Sequence, residues 1–156
     1  MAWIDASSVK LGCIGFSKTK SVRNSRYGSP LAKDVCKMAN SKAHLIEIFN
    51  DNQSRFLMSE KVLKEVRTHI GILLGSTYYW WWIGAELKNV TWYWEHSKKP
   101  VTYWSCIGSD QYGTDLCGKD SRYPYAVVSF GNRNPYWHRS TGQGPFNSIC
   151  QIDMMK

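Results

Sequence analysis

Side chains able to bind a polar ligand are concentrated late in the chain. A binding site for a polar ligand needs a few fixed hydrogen-bond donors and acceptors, and an aromatic ring can cover an apolar side of the ligand. This stretch supplies carboxylates, an amide, an imidazole, a guanidinium and several phenols. The residues are Asp110, Gln111, Tyr112, Asp115, Tyr125, Tyr136, His138 and Arg139, with Tyr123 alongside. We therefore regard them as candidate ligand-binding residues.

The residue patterns of catalysis are missing from the sequence. No Ser-His-Asp order, no pair of carboxylates for one pocket and no His-x-x-x-His motif can be placed. His96 and His138 stand alone, and His44 and His69 have no companion at ligand spacing. We interpret His44 and His69 as structural. The sequence therefore predicts no enzymatic activity and no metal site.

Composition indicates one globular domain, spanning residues 1–156, with 43% hydrophobic and 21% charged residues. No apolar run reaches the roughly 18–20 residues of a membrane span. The net charge of +8 is spread along the chain and is densest from Lys18 to Arg26. Scattered positive charge is typical of a solvated surface, so we do not expect nucleic acid as a partner.

The chain has five cysteines, Cys13, Cys36, Cys106, Cys117 and Cys150. None form a Cys-x-x-Cys pair, which argues against a zinc ribbon or a thioredoxin-type site. An odd number in an extracellular chain indicates two internal bridges and one cysteine left for a partner chain.

An α+β domain is predicted from the order of helical and strand patterns. Ser29 and Pro30 are typical of a helix start, with an apolar face at Leu31, Val35, Met38 and Ala39. A second helix is predicted from Asp51 or Asn52 to about His69, with Phe56, Val62, Leu63 and Val66 as its buried face. Predicted strands cover residues 9–16, 43–48, 82–84, 92–94, 125–130 and 146–152. Residues 86–89 and 132–144 are predicted as turns, and residues 98–120 as a long loop of the kind that often carries function.

The aromatic run from Tyr78 to Trp82, answered by Trp92 and Trp94, is predicted to form the centre of the core. Each large aromatic ring buries roughly 150–250 Å². The alternative is a set of stacking platforms for nucleic-acid bases. No Lys or Arg lies between Tyr78 and Glu86, which disfavours it.

In order along the chain, several segments resemble those of the C-type lectin-like domain family, and the resemblance covers about residues 9–152. Trp82-Ile83-Gly84 is similar to the signature tripeptide of the family. The other matching segments are Ala32–Cys36 for the first helix, Ala43–Ile48 and Trp92–Trp94 for strands, and Phe146–Gln151 for the closing strand. Within the family the chain most resembles small secreted lectins of bivalve molluscs. The resemblance implies two helices and short antiparallel sheets with a long ligand-binding loop.

The resemblance also implies a bridge between Cys36 and Cys150. The second bridge of the family would join Cys117 to a position that holds Gly142 here, so we assign Cys117 to Cys106 instead. Cys13 resembles an early cysteine of the family, whose usual partner is missing. That leaves Cys13 either free or linking two chains in a dimer, and we favour the link.

Family lectins hold calcium in the long loop, and the sugar completes its coordination. The positions of the family's ligands hold Ile107-Gly108-Ser109, Asp115 and His138-Arg139 here. Calcium prefers six to eight oxygen ligands, and only one carboxylate of the set remains. The resemblance therefore implies that the principal calcium site is lost and that no cofactor is needed, unless Asp110 restores an ion.

By this resemblance, the chain is expected to be a secreted, extracellular lectin for N-acetylhexosamines (N-acetylglucosamine or N-acetylgalactosamine) on microbial or cell-surface glycans. The candidate ligand-binding residues named at the outset would then bind carbohydrate. Asp115 and His138 would lie close together and hold a hydroxyl or the acetamido group. Agglutination and innate immunity are the expected settings. One alternative is that Asp115, His138 and Arg139 form an ion-pair cluster in a dead site. Another is a non-sugar surface-binding or structural role, such as ice or mineral binding.

Overall fold

The structure is a computed structural model that describes residues 1–24, 29–72, 80–103, 121–130 and 136–155. Within these ranges the chain has three α-helices, one short 3-10 helix and eight strands. The helices are α1 (Ala32–Ala39), α2 (Asp51–Phe56) and α3 (Glu60–Ile70). The strands are β1 (Ala2–Asp5), β2 (Cys13–Phe16), β3 (His44–Leu45), β4 (Trp81–Lys88), β5 (Thr91–Trp94), β6 (Tyr125–Ser129), β7 (Tyr136–Ser140) and β8 (Asn147–Ile152). The predicted α+β class is confirmed. None of the helices in these ranges is long and apolar enough to cross a membrane.

The described strands join in the order β1-β2-β8-β4-β6-β7, with β3 paired to β8 and β5 paired to β4. Only β4 and β8 run parallel among these pairs. The last strand in sequence therefore lies in the middle of the sheet. It joins the strands at the N-terminus to the β4–β7 half of the sheet.

Strand β4 is buried on both of its faces. Trp81 packs in a large apolar cluster with Trp94 and Trp137, whereas Trp82 packs in a smaller one with Leu45 and Val127. Successive side chains of a strand point to opposite faces. Consecutive tryptophans can both leave water only where the sheet is covered on both sides. The prediction of an aromatic core is confirmed for Trp81, Trp82, Trp92 and Trp94, whereas Trp80 is half-buried and Tyr78 and Tyr79 lie outside the described residues.

The bridge between Cys36 and Cys150 is confirmed, with 5.5 Å between the two Cα atoms. Both cysteines are fully buried. The bridge attaches α1 to β8 and so fixes which face of the helix is turned inward. Cys13 is exposed and has no disulfide partner among the described cysteines.

Helix α1 differs from its prediction in start and in buried face. It begins at Ala32 after Leu31, which makes no side-chain cap, so the Ser29–Pro30 start is wrong. The segment before the helix is extended instead, because Val22 donates to the Pro30 carbonyl and accepts from Ala32. Ala32 and Cys36 are the buried residues of the helix, while Met38 is 88% exposed. The buried face is therefore the one that carries the bridged Cys36, and not the one that the larger apolar residues predict.

The single helix predicted from residue 51 to residue 69 is two helices, so the predicted count of two is too low. The Asn50 side chain accepts from the Gln53 amide, and the Ser59 side chain accepts from the Val62 amide. Each bond satisfies an amide that has no partner within its helix. The second cap therefore starts a new helix at Glu60. Val62 and Val66 are buried as predicted.

Four strand and turn predictions need correction. The strand predicted at residues 43–48 is limited to His44–Leu45, the two residues that pair with β8. Strand β2 begins at Cys13 rather than residue 9, because the chain turns at Lys10 and Gly12, both with positive φ. Residues 136–140, predicted as part of a turn, form β7 because they pair with β6. Residues 86–88, also predicted as a turn, belong to β4.

Candidate functional site

Four of the predicted carbohydrate-binding residues lie on the hairpin formed by β6 and β7. The register places Ser140 opposite Tyr125, Val127 opposite His138, and Ser129 opposite Tyr136. Residues directly opposite one another share a face of the sheet. Tyr125, Tyr136 and His138 are therefore on one face. Arg139, the next residue after His138, is on the other.

His138 is a buried residue, with 8% of its surface exposed. Its Nε2 atom forms a hydrogen bond with the Ser129 hydroxyl at 3.1 Å. Its ring lies against Trp80, with 4.3 Å between the ring centroids. The imidazole thus fixes the position of Trp80 and lies largely beneath the surface.

Partly exposed aromatic rings cover His138 and the adjoining part of the sheet. The Trp80 ring stacks on Phe146 at 6.0 Å, and both pack against the cluster that contains Trp82 and Val127. Tyr125 packs against the same cluster. We call the four half-buried rings of this face the aromatic face: Trp80, Tyr125, Tyr136 and Phe146.

The Tyr125 ring is held from two sides. The guanidinium of Arg23 lies 4.8 Å from its centroid. Gly142, at a φ of 94°, approaches so closely that a Cβ there would be 2.6 Å from the ring. A larger residue at position 142 would displace the ring. The absence of a cysteine at this position therefore has a local steric reason.

Arg139 does not belong to the aromatic face. Its guanidinium lies 5.5 Å from the Tyr123 ring centroid. Trp137, two residues earlier on the same face of β7, is buried in the large cluster on the opposite side from Trp82. His138 and Arg139 thus point to opposite faces of β7, while Asp115, the third member of the expected ion-pair cluster, lies outside the described residues. The signal for this was the strand alternation of residues 136–140, which the prediction of a turn overlooked.

The remaining predicted site residues lie outside the described residues. These are Asp110, Gln111, Tyr112 and Asp115. The expected proximity of Asp115 to His138 stays a prediction, as does the bridge between Cys106 and Cys117.

Comparisons with solved structures identify the architecture. The chain superposes on the C-type lectin domain of murine dendritic cell inhibitory receptor 2, which was solved in complex with an N-glycan. The TM-score is 0.64 at 15% sequence identity, and the match covers 98% of this chain and 97% of the receptor domain. Ovocleidin-17, a major protein of the Gallus gallus eggshell calcified layer, gives a TM-score of 0.65 at 18% identity over 98% and 97% of the chains. The chain has a C-type lectin-like fold. The carbohydrate-recognition domain of the human scavenger receptor C-type lectin gives 0.64 at 16% identity over the same shares. No protein-family model and no curated protein sequence matches the chain.

The calcium site associated with the C-type lectin-like fold can be tested at two described positions. His138 offers an imidazole nitrogen that is hydrogen-bonded to Ser129, and Arg139 offers a cation on the opposite face. Calcium prefers oxygen ligands, several of them carboxylates. The described part of the ligand set does not fit calcium.

The C-type lectin-like fold also gathers histidines that the sequence leaves apart. The rings of His44 and His96 are parallel, with centroids 3.7 Å apart. Asp153 lies within reach of both imidazoles. The prediction that His96 stands alone, and that His44 has no companion, is wrong. Ligand spacing along the sequence could not find this group, because its members are about fifty residues apart.

Proposed function

We propose that this chain binds glycans carrying N-acetylhexosamine through the aromatic face, and that binding needs no calcium. The observation that carries the proposal is the set of half-buried rings, Trp80, Tyr125, Tyr136 and Phe146, on one side of the β6–β7 hairpin. Such rings offer flat apolar area to the apolar side of a sugar or to an acetamido methyl group. Little side-chain entropy is lost, because packing already restrains them.

Polar recognition would come from groups beside the rings. The hydroxyls of Tyr125 and Tyr136 can donate and accept hydrogen bonds. Asp115 would accept from a sugar hydroxyl or from the acetamido N–H. In this arrangement His138 is a positioning residue, since its ring supports Trp80 from below. Arg139 is outside the site, because it lies on the opposite face.

Calcium independence follows from the ligand chemistry at His138 and Arg139, which differs from what calcium requires. The glycan in the structure of the murine receptor domain supports a sugar-binding use of the fold. The buried disulfide supports an extracellular location, where such bonds persist. We propose that the protein is secreted and recognises microbial or cell-surface glycans.

Exposed Cys13 would link two chains. Two linked sites on one molecule could raise avidity for a multivalent surface by roughly 10²–10⁴-fold and allow agglutination. Non-reducing electrophoresis should give a dimer that Cys13→Ser converts to a monomer. A wild-type monomer would remove this part of the proposal.

Calorimetric titration with N-acetylglucosamine and N-acetylgalactosamine, in calcium and then in a chelator, tests the sugar site. We expect binding of at least one sugar that the chelator leaves unchanged. Trp80→Ala and Tyr136→Ala should each weaken it about tenfold or more. Binding abolished by the chelator would refute calcium independence.

A matched control is available for Trp80. Trp3 is also half-buried and packs against the same apolar cluster, but it lies on β1 at the other edge of the sheet. Trp3→Ala should therefore lower the free energy of unfolding about as much as Trp80→Ala does, and leave the affinity for the sugar unchanged. Equal losses from both variants would contradict the site. If neither sugar binds, the proposal fails, and a surface-binding role like that suggested by the eggshell protein becomes the better account.

A further inference from the structure

A second site is formed by His44, His96 and Asp153, which come from the start of β3, the turn after β5, and the segment after β8. Their ligand atoms all lie within 4.8 Å of one another. His44 Nε2 is 2.9 Å from one carboxylate oxygen of Asp153, and His96 Nε2 is 3.6 Å from the other. His44 is buried, whereas the side chains of His96 and Asp153 are 43% and 58% exposed.

The hydrogen bonds of His44 determine which of its nitrogens can coordinate. Its Nδ1 atom is 2.7 Å from the Leu45 carbonyl oxygen. A carbonyl oxygen only accepts, so Nδ1 carries a hydrogen and Nε2 of the neutral ring has a lone pair. That lone pair points at Asp153. A backbone carbonyl that orients a ligating histidine in this way is the usual partner found behind metal-bound imidazoles.

The group therefore lacks a positive charge at its centre when both rings are neutral. The Nε2 lone pair of His44 and the Asp153 carboxylate then face each other at 2.9 Å without a hydrogen-bond donor between them. A single divalent cation would satisfy all three groups together.

We propose that His44, His96 and Asp153 form a zinc site, with water as the fourth ligand. Two imidazole nitrogens and one carboxylate are ligands that zinc accepts in tetrahedral geometry. Calcium, which takes six to eight oxygens, does not fit.

Zinc binding requires one local movement. Ligand atoms about 2.0–2.2 Å from a tetrahedral zinc lie roughly 3.3–3.5 Å from each other, close to the separations seen here. However, one ion cannot lie in the planes of two parallel stacked rings. His96 must therefore tilt out of the stack, and its exposure leaves room for this. Asp153 is also exposed and can adjust, while buried His44 stays in place.

The metal would join three segments that no covalent bond connects directly. It would attach the segment after β8 to β3 and to the turn that follows β5. The Ser97 amide already donates to the Glu47 carboxylate near this turn, at 2.9 Å. The zinc site would add a connection from this turn to Asp153, near the end of the described chain, and so stabilise the fold.

Zinc chloride titration by calorimetry tests the proposal, using protein without a histidine tag. We expect one zinc ion per chain, and a rise in Tm of about 5–10 °C at zinc 100-fold above Kd. His96→Ala and Asp153→Asn should each lower affinity at least tenfold. Both positions are exposed, so the variants should melt at the metal-free wild-type temperature. The ring resonances of His44 and His96 should shift together as the stack opens.

His69→Ala is the matched control. His69 pairs with Glu65 at 2.8 Å on α3. It is not a member of the possible metal-ligand group found among the described residues, which is His44, His96 and Asp153. It should bind zinc like the wild type, and so should Cys13→Ser, which removes an exposed thiol. Absence of saturable zinc binding would overturn the proposal. So would affinity that survives both His96→Ala and Asp153→Asn, or that depends on His69 or Cys13.

Discussion

The Arg23 guanidinium forms an ion pair with the Glu86 carboxylate beneath the surface, where their side chains are 4% and 16% exposed. The same guanidinium donates to the Ile83 carbonyl oxygen at 2.8 Å and lies over Tyr125. Arg23, in the segment before α1, thus connects the β4 backbone, the Glu86 carboxylate and Tyr125 of the aromatic face.

Removing one partner of this pair should destabilise the fold strongly. Glu86→Gln leaves a buried guanidinium without its counter-charge, so we expect a loss of about 3–5 kcal/mol in the free energy of unfolding. Urea denaturation would measure it. Replacing both partners, Arg23→Met with Glu86→Leu, should recover much of the loss because no buried charge remains. A double variant as unstable as Glu86→Gln would contradict this explanation.

Loss of the Cys36–Cys150 bridge should cost about 4–5 kcal/mol on the chain-entropy model. The two cysteines are 114 residues apart, so the open chain regains much freedom when unfolded. The Cys36→Ala, Cys150→Ala double variant should melt well below the wild type. Cys13→Ser, at an exposed position, should change the free energy of unfolding by less than about 0.5 kcal/mol. A double variant that melts like Cys13→Ser would refute the prediction.

Val90→Gly should stabilise the protein. Asn89 and Val90 connect β4 to β5 with φ values of 49° and 59°. Positive φ at both central residues suits Asn-Gly and costs a residue with a Cβ about 1–2 kcal/mol. Glycine adds freedom to the unfolded chain, so we expect a net gain of about 1 kcal/mol in urea denaturation. Val90→Ala keeps the Cβ and should gain less. Equal gains would show that φ is not the cause.

Alkaline stability should depend on Tyr103. Burial raises the pKa of its hydroxyl above 10.0, and the hydrogen bond to Asp51 at 3.1 Å and the charge of that carboxylate add to the rise. A raised folded pKa contributes stability below the unfolded pKa and loses it as pH increases through the folded value. Tyr103→Phe should therefore lose less unfolding free energy than the wild type as the pH rises above the unfolded pKa of about 10. Tyr93→Phe, on β5, is the control and should follow the wild type. A Tyr103→Phe variant that follows the wild type would contradict the assignment.

Much of the fold could be predicted from local patterns and from the resemblance. The strand at residues 125–129 follows from a mostly apolar run, whereas the strand at residues 147–152 and the Cys36–Cys150 bridge follow from the order of the segments that match the family. Residues 136–140 were harder because Asn132, Asn134 and Pro135, just before them, favour a turn. Only pairing with β6 gives that stretch a strand conformation.

The candidate site was predicted less completely. Tyr125 and Tyr136 lie on the face that the proposal uses, but Trp80 was assigned entirely to the core. A run of three tryptophans does not reveal which one lies at the margin of the sheet. The opposite placement of His138 and Arg139 needs a strand assignment, because adjacent residues separate only when the backbone is extended.

The sequence by itself determined the fold class, the aromatic core and the chemical types available to a ligand, because these depend on composition, periodicity and the order of segments. The tertiary structure alone decided which polar groups meet. His44, His96 and Asp153 converge because β8 pairs with both β3 and β4, and β4 pairs with β5, the strand that precedes the turn containing His96. No local pattern specifies that convergence, since pairing between distant strands depends on the whole sheet.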